Sequence, residues 1–173
     1  MIIQNPEKEI IHDPSQLGIK RSPKWWDKWF INLAKDVATA SKDPSTKVGA
    51  IIVDKTQRKM SLGYNGFPKR ILDSPTRLND RDTKYKLILH AEERAIDSAK
   101  EDLTGHTIYV WPFMPCSRCM LKIINNDISR VVAPDFFPER WSKDFELSQK
   151  LAKEAGIKLY IIPNNDLEEK YGN

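Results

Sequence analysis

Between Lys24 and Ser41 the apolar residues Trp26, Trp29, Phe30, Leu33, Val37 and Ala40 recur at three- and four-residue spacing, which predicts an amphipathic helix. The turn-rich SKDPSTK follows, and its Asp43-Pro44 step ends that helix. Val48–Val53 is a short continuous apolar run, and Lys59–Tyr64 comes after a polar turn; together they predict a strand hairpin. Residues 65–84 carry two prolines and alternating charges, so they are expected to form one long loop, and loops of that length in a compact domain are usually functional. Beyond it the pattern predicts a helix over Leu87–Ala99, a strand over Thr107–Val110, a helix over Cys116–Asn125 and a strand over Arg130–Ala133. The last long helix is expected over Trp141–Ala155 with Gly156 closing it, before a final strand at Lys158–Ile162. Strands separated by helices imply an α/β layered sheet with parallel crossovers in its second half.

This pattern divides the chain into a polar N-terminal extension over residues 1–23, one domain over 24–163 and a polar tail over 164–173. A length of 173 residues fits one compact domain. No apolar run is long enough to span a bilayer. The N-terminus lacks the basic and long apolar regions of a signal peptide, so a cytoplasmic location is expected.

The formal charge of +4 suits an anionic ligand, but the basic residues are spread along the chain without the dense stripe of a nucleic-acid binder. A polynucleotide substrate is therefore not expected. Trp25, Trp26 and Trp29 follow helical spacing, which favours packing over a base-stacking groove.

Two short segments carry the chemistry. His90-Ala91-Glu92 opens one expected helix and Pro115-Cys116-Ser117-Arg118-Cys119 opens another. Cys116 and Cys119, the two cysteines of the chain, are three residues apart and so share a helical face. The positive end of that helix favours thiolate, the metal-binding form. One His and two Cys leave a fourth tetrahedral position open, the pattern of a catalytic rather than a structural zinc site. A thioredoxin-like dithiol would leave His90-Ala91-Glu92 unexplained, and a closed structural site lacks a further cysteine. His12 and His106 have no comparable neighbours and are expected to be ordinary surface or locally hydrogen-bonded histidines. Glu92, two residues past His90, is placed to flank the metal and move a proton, whereas Glu93 is expected to face solvent.

H-x-E combined with P-C-x-x-C is the motif pair of zinc nucleobase deaminases, a system that serves as a standard example of this chemistry. With SKDPSTKVGA, GYNG and DTKY added, the sequence from about Trp25 to Ile162 resembles the deoxycytidylate deaminases of the cytidine deaminase superfamily. The resemblance implies a three-layer α/β/α fold around a mixed sheet of about five strands. It implies one Zn2+ held by His90, Cys116 and Cys119, proton transfer by Glu92, and conversion of dCMP and water to dUMP and ammonia. It also implies a homo-oligomer, often a hexamer, with dCTP and dTTP as effectors.

The substrate-binding candidates are Lys47, Asn65, Tyr85 and Arg94, with Lys42 a further phosphate candidate. Asn65 either touches the nucleotide or caps a turn at positive φ, and Tyr85 either stacks near the nucleotide or packs its loop. Arg94 stands where relatives usually have Asn. Four residues after His90, it is expected on the face that looks into the site, gripping an anionic ligand or a neighbouring acid. The segment Trp111–Met114 is one residue longer than is usual in the family, which implies a reshaped pocket wall.

Overall fold

The structure is a computed structural model that describes residues 21–168. Most of the expected extension, including His12, and the end of the tail lie outside those residues. The first helix, α1 (Pro23–Ala38), begins where the Ser22 hydroxyl accepts the Trp25 N–H and Pro23 occupies a position that has no N–H to lose. The hairpin forms as expected from β1 (Gly49–Val53) and β2 (Met60–Tyr64), paired antiparallel with Ala50 opposite Gly63.

Residues 65–84 are not one loop. They hold α2 (Pro75–Asn79) and the start of α3 (Arg81–Leu87), capped by the side chains of Ser74 and Asp80. Helices of five and seven residues built from PTRLN and RDTKYKL bury one side chain each, too few to leave a hydrophobic period in the sequence. The helix expected over Leu87–Ala99 is also interrupted. Ile88 turns extended, and Leu89 exchanges backbone hydrogen bonds with Gly66 before α4 (Ala91–Ala99) starts. That tertiary pairing overrides helix propensity and leaves His90 as the N-cap of α4.

The remaining elements are β3 (Thr107–Trp111), α5 (Ser117–Asn125), β4 (Arg130–Pro134), a 3₁₀ turn at Glu139–Trp141, α6 (Ser142–Glu154), β5 (Lys158–Ile162) and α7 (Asn164–Glu168). The last of these places a short helix in the expected tail. Gly156 closes the α6 turn at φ +71°, where its N–H reaches Lys153 and Ile157 bonds back to Ala152.

The sheet runs β2-β1-β3-β4-β5, antiparallel through β1 and β3 and parallel from β3 to β5. Successive side chains of β1 serve opposite faces, as a strand requires. Ala50 and Ile52 join Ile108, Val110 and Val131 under Ala91 and Ala95 of α4, Met120 and Ile123 of α5 and Ala152 of α6. Ile51 and Val53 join Tyr109, Val132 and Ile162 under Phe30, Ile31 and Ala34 of α1. The result is the expected three-layer α/β/α fold with a mixed five-stranded sheet. Gly63 fixes how close α4 lies to β2, because a Cβ there would overlap the backbone of Ala91 and Ala95. Among the described residues no helix is long and apolar enough to cross a membrane.

Candidate active site

The two motif segments meet at adjoining helix starts. His90 caps α4 and Cys116 caps α5, with Cys119 in the first turn of α5. His90 Nδ1 lies 3.4 Å from Cys116 Sγ and 3.3 Å from Cys119 Sγ. A tetrahedral zinc with Zn–N of about 2.0 Å and Zn–S of about 2.3 Å would set nitrogen and sulfur about 3.5 Å apart. The donor set, its spacing and the presence of three rather than four protein ligands therefore fit a zinc ion with one open position.

Neighbouring residues hold these ligands in place. Asp144 of α6 accepts the Ser117 N–H at 2.9 Å and the Ser117 hydroxyl at 2.5 Å, and the Ser148 hydroxyl donates to the Pro115 carbonyl at 2.7 Å. The start of α5 is thus fastened from α6, which fixes both cysteines. The hydrogen bond between the cysteines is the leading cause that lowers the Cys116 pKa to about 5, against its burial and with help from His90. Cys119 is raised, first by the same hydrogen bond and then by burial. His90 is raised to about 9, chiefly by its hydrogen bond with Cys116.

Glu92 and Glu93 are adjacent and both buried, yet they have opposite environments. Glu92 sits beside the ligands with its pKa raised to about 7, first by burial and then by the charge of Cys116. Glu93 does not face solvent as expected. It is 1% exposed, accepts the His90 N–H at 2.9 Å, and is ion-paired with Lys122 at 2.9 Å and Arg118 at 3.2 Å. Burial opposes its charge, but the His90 N–H and the two cations outweigh that and hold its pKa below the usual carboxylate value. The third helical position reaching back to the cap is a capping-box geometry, so Glu93 positions His90.

His90, Glu92 and Cys116 form the floor of a cavity of about 650 Å³. It lies at the carboxyl ends of the parallel strands β3 and β4, where open α/β sheets bind ligands. Asn65 and Tyr85 line it. Asn65 is not at positive φ. Its amide instead ties the SKDPST loop, accepting the Val48 N–H at 2.8 Å and donating to the Thr46 carbonyl at 2.9 Å. One amide hydrogen and one lone pair remain for a ligand. Tyr85 is half-exposed, and its hydroxyl accepts the Arg81 Nε–H at 3.1 Å.

The other candidates lie elsewhere. The Lys47 side chain is exposed and lies outside the cavity lining, and Lys42 is exposed and paired with Asp73 at 2.7 Å. Arg94 leaves the cavity altogether. Its guanidinium donates to the carbonyls of Phe67 at 2.7 Å and Tyr64 at 3.3 Å and lies over the Tyr64 ring. The close approach at Gly63 directs it toward the backbone around the GYNG loop, and no acid among the described residues pairs with it.

Several cavity residues carry no signal of their own in the sequence. The Asp43–Lys84 pair is buried at 3.0 Å, and Lys84 also donates to Ser45 Oγ at 3.1 Å. Both residues fall inside SKDPST and DTKY, the segments that carried the resemblance, so those motifs pointed to the pair without revealing it. Phe113, Trp141 and Phe145 form an aromatic wall, and Arg81 and Arg140 stand at the rim. His106 is held locally, with Nδ1 3.4 Å from the Thr104 carbonyl, as expected.

Residues 24–134 match the family model described as the cytidine and deoxycytidylate deaminase zinc-binding region. The chain belongs to that family. It is a zinc-dependent deaminase, a hydrolase of carbon–nitrogen bonds, and His90, Cys116 and Cys119 are the zinc-binding trio typical of the family. The chain is 43% identical over 141 residues to an uncharacterised deaminase of the luxG 3′ region of Aliivibrio fischeri, covering 80% of this chain and 94% of that one. It is 35% identical over 140 residues to the deoxycytidylate deaminase of Mus musculus, covering 76% of each. Its fold matches the crystal structure of dCMP deaminase from the cyanophage S-TIM5 in complex with dCMP and dUMP. There the TM-score is 0.62 at 20% identity, over 83% of this chain and all of that one.

Proposed function

We propose that the protein hydrolyses the 4-amino group of a deoxycytidine nucleotide, converting dCMP and water to dUMP and ammonia and so feeding dTTP synthesis. One observation carries the reading: a buried carboxylate, Glu92, sits beside the His90–Cys116–Cys119 trio on the floor of a cavity with room for a nucleotide. The deoxycytidylate deaminase of Mus musculus at 35% identity supports the choice of base.

Zinc bound there would lower the pKa of a coordinated water to ~7 and supply the nucleophile at neutral pH. Glu92 takes one proton from the attacking water and delivers it to N3 of the pyrimidine. It then carries the proton of the new C4 hydroxyl to the amine, so that the C4–N bond breaks, C4=O forms and ammonia leaves. A pKa near 7 suits a group that must accept and return a proton at neutral pH. Glu93 holds the His90 backbone, and through it the ring, in register. The aromatic wall of Phe113, Trp141 and Phe145 excludes water from one side of the reacting ring.

Among the substrate candidates, Asn65 and Tyr85 keep a place in the reading as cavity-lining contacts. The family resemblance extends it to a homo-oligomer, a hexamer, controlled by dCTP and dTTP. The exposed Met60 and Leu62 on the edge strand β2 are consistent with a covered surface there.

The test is ammonia release from a panel of cytosine, adenine and guanine nucleosides and nucleotides. Fastest turnover of dCMP is expected. A preference for another base, or for a polynucleotide, would overturn the assignment.

A further inference from the structure

Three cationic side chains besides His90 line the cavity: Arg81, Lys84 and Arg140. Lys84 is committed to Asp43 and Ser45 in the buried wall. Arg81 and Arg140 are different, because both are exposed and neither has a carboxylate partner among the described residues. They come from separate segments, the first turn of α3 and the 3₁₀ turn after β4.

Each guanidinium lies over an aromatic neighbour. Arg81 lies 5.3 Å over the Tyr85 ring, and its Nε–H reaches the Tyr85 hydroxyl at 3.1 Å. Arg140 lies 4.1 Å over the Trp141 ring and donates to Thr46 Oγ1 at 3.3 Å. A guanidinium carries five N–H donors, so one hydrogen bond and a contact with a ring leave most of its edge free. The cavity's own acids do not use that edge. Asp43 is paired with Lys84, Asp144 is occupied by Ser117, and Glu92 lies on the floor beside the ligands.

We propose that Arg81 and Arg140 form the phosphate subsite of this cavity, gripping the 5′-phosphate of a mononucleotide whose base lies against Glu92. The inference rests on the nucleotide reading above and assigns to two residues the preference for a nucleotide over its nucleoside. Planar guanidinium forks match phosphate oxygens in geometry and charge, and the ring contact and hydrogen bond each already makes reduce the freedom lost on binding. Arg94 and Lys42, both candidates for an anionic ligand, are occupied elsewhere and take no part.

The experiment compares kcat/KM for a nucleotide with that for its nucleoside in the zinc-loaded full chain and in R81Q, R140Q, R140K and the double variant R81Q/R140Q. Each neutralised arginine is expected to lower the nucleotide-to-nucleoside ratio by about tenfold, and the pair by about a hundredfold, the loss of charge-assisted hydrogen bonds. R140K should fall between wild type and R140Q, because it keeps the charge but loses the planar fork. A ratio within about twofold of wild type in the double variant overturns the proposal. So does a wild-type preference for a single-stranded oligonucleotide over the mononucleotide.

The comparison is run on whichever base the wild-type protein deaminates. A protein selective for guanine or adenine nucleotides would sink the cytosine reading, and its ratio would still decide the arginines. No turnover of any nucleotide overturns both.

Discussion

The floor and the rim of the cavity are built in different ways. The floor is made from two short segments, each opening a helix, and its reactive side chains are buried or half-buried and held by neighbours on both sides. The rim draws on the SKDPST loop, on α3 and on the turn after β4, and its arginines are exposed and lightly held. The chemistry of the floor therefore depends on the local geometry of two helix starts. On the reading proposed above, substrate choice falls to the exposed arginines of the rim.

The largest effect should come from the floor. Cys119→Ala removes one of three zinc ligands and should abolish both stoichiometric zinc and turnover, as elemental analysis and an ammonia assay would show. Retained zinc in that variant would mean the ligand set is wrong. Metal binding should also depend on pH with a definite sign. Before metal binds, His90 holds a proton up to about pH 9 and the Cys119 thiol holds its own more tightly than usual. Zinc must expel both, so its affinity should rise with pH through neutrality. Calorimetry in buffers of different ionisation enthalpy would detect the released protons, and a pH-independent affinity would contradict the assignment.

The wall between floor and rim should respond next. Lys84→Met leaves Asp43 buried without its cation, and breaking such a pair costs about 3–5 kcal/mol. Chemical denaturation should show that loss, and the added change Asp43→Asn should recover part of it. A single variant as stable as wild type would mean that the loop, not the pair, carries the wall.

The smallest effect is expected at Arg94. Arg94→Asn removes hydrogen bonds to two carbonyls and should cost about 1–2 kcal/mol of stability, with the order of preference among dCMP, CMP and dCTP unchanged. A changed order would return Arg94 to the substrate site.

The same division governs what could be read from the sequence. The zinc trio was legible because metal chemistry demands particular residue types at fixed spacing. The hairpin was legible because VGAIIV is a continuous apolar run buried on both faces. The expectation that Arg94 looks into the site rested on helical spacing alone. It failed because Gly63 brings β2 so close that the side chain meets backbone carbonyls first. Glu93 was misplaced for a related reason, since its cations Arg118 and Lys122 come from α5 and no spacing within α4 reveals them. Arg140 follows β4 by a few residues of irregular chain, and only the sheet order brings it to the same cavity as His90.

The central claim is that Glu92 moves the proton while the metal trio stands independently of it. The most direct measurement is turnover and zinc content of Glu92→Gln in one preparation. Zinc at the wild-type stoichiometry with kcat reduced by about a hundredfold or more is the predicted result. Near-normal turnover with zinc in place would contradict it, and would place the proton shuttle on another group of the cavity.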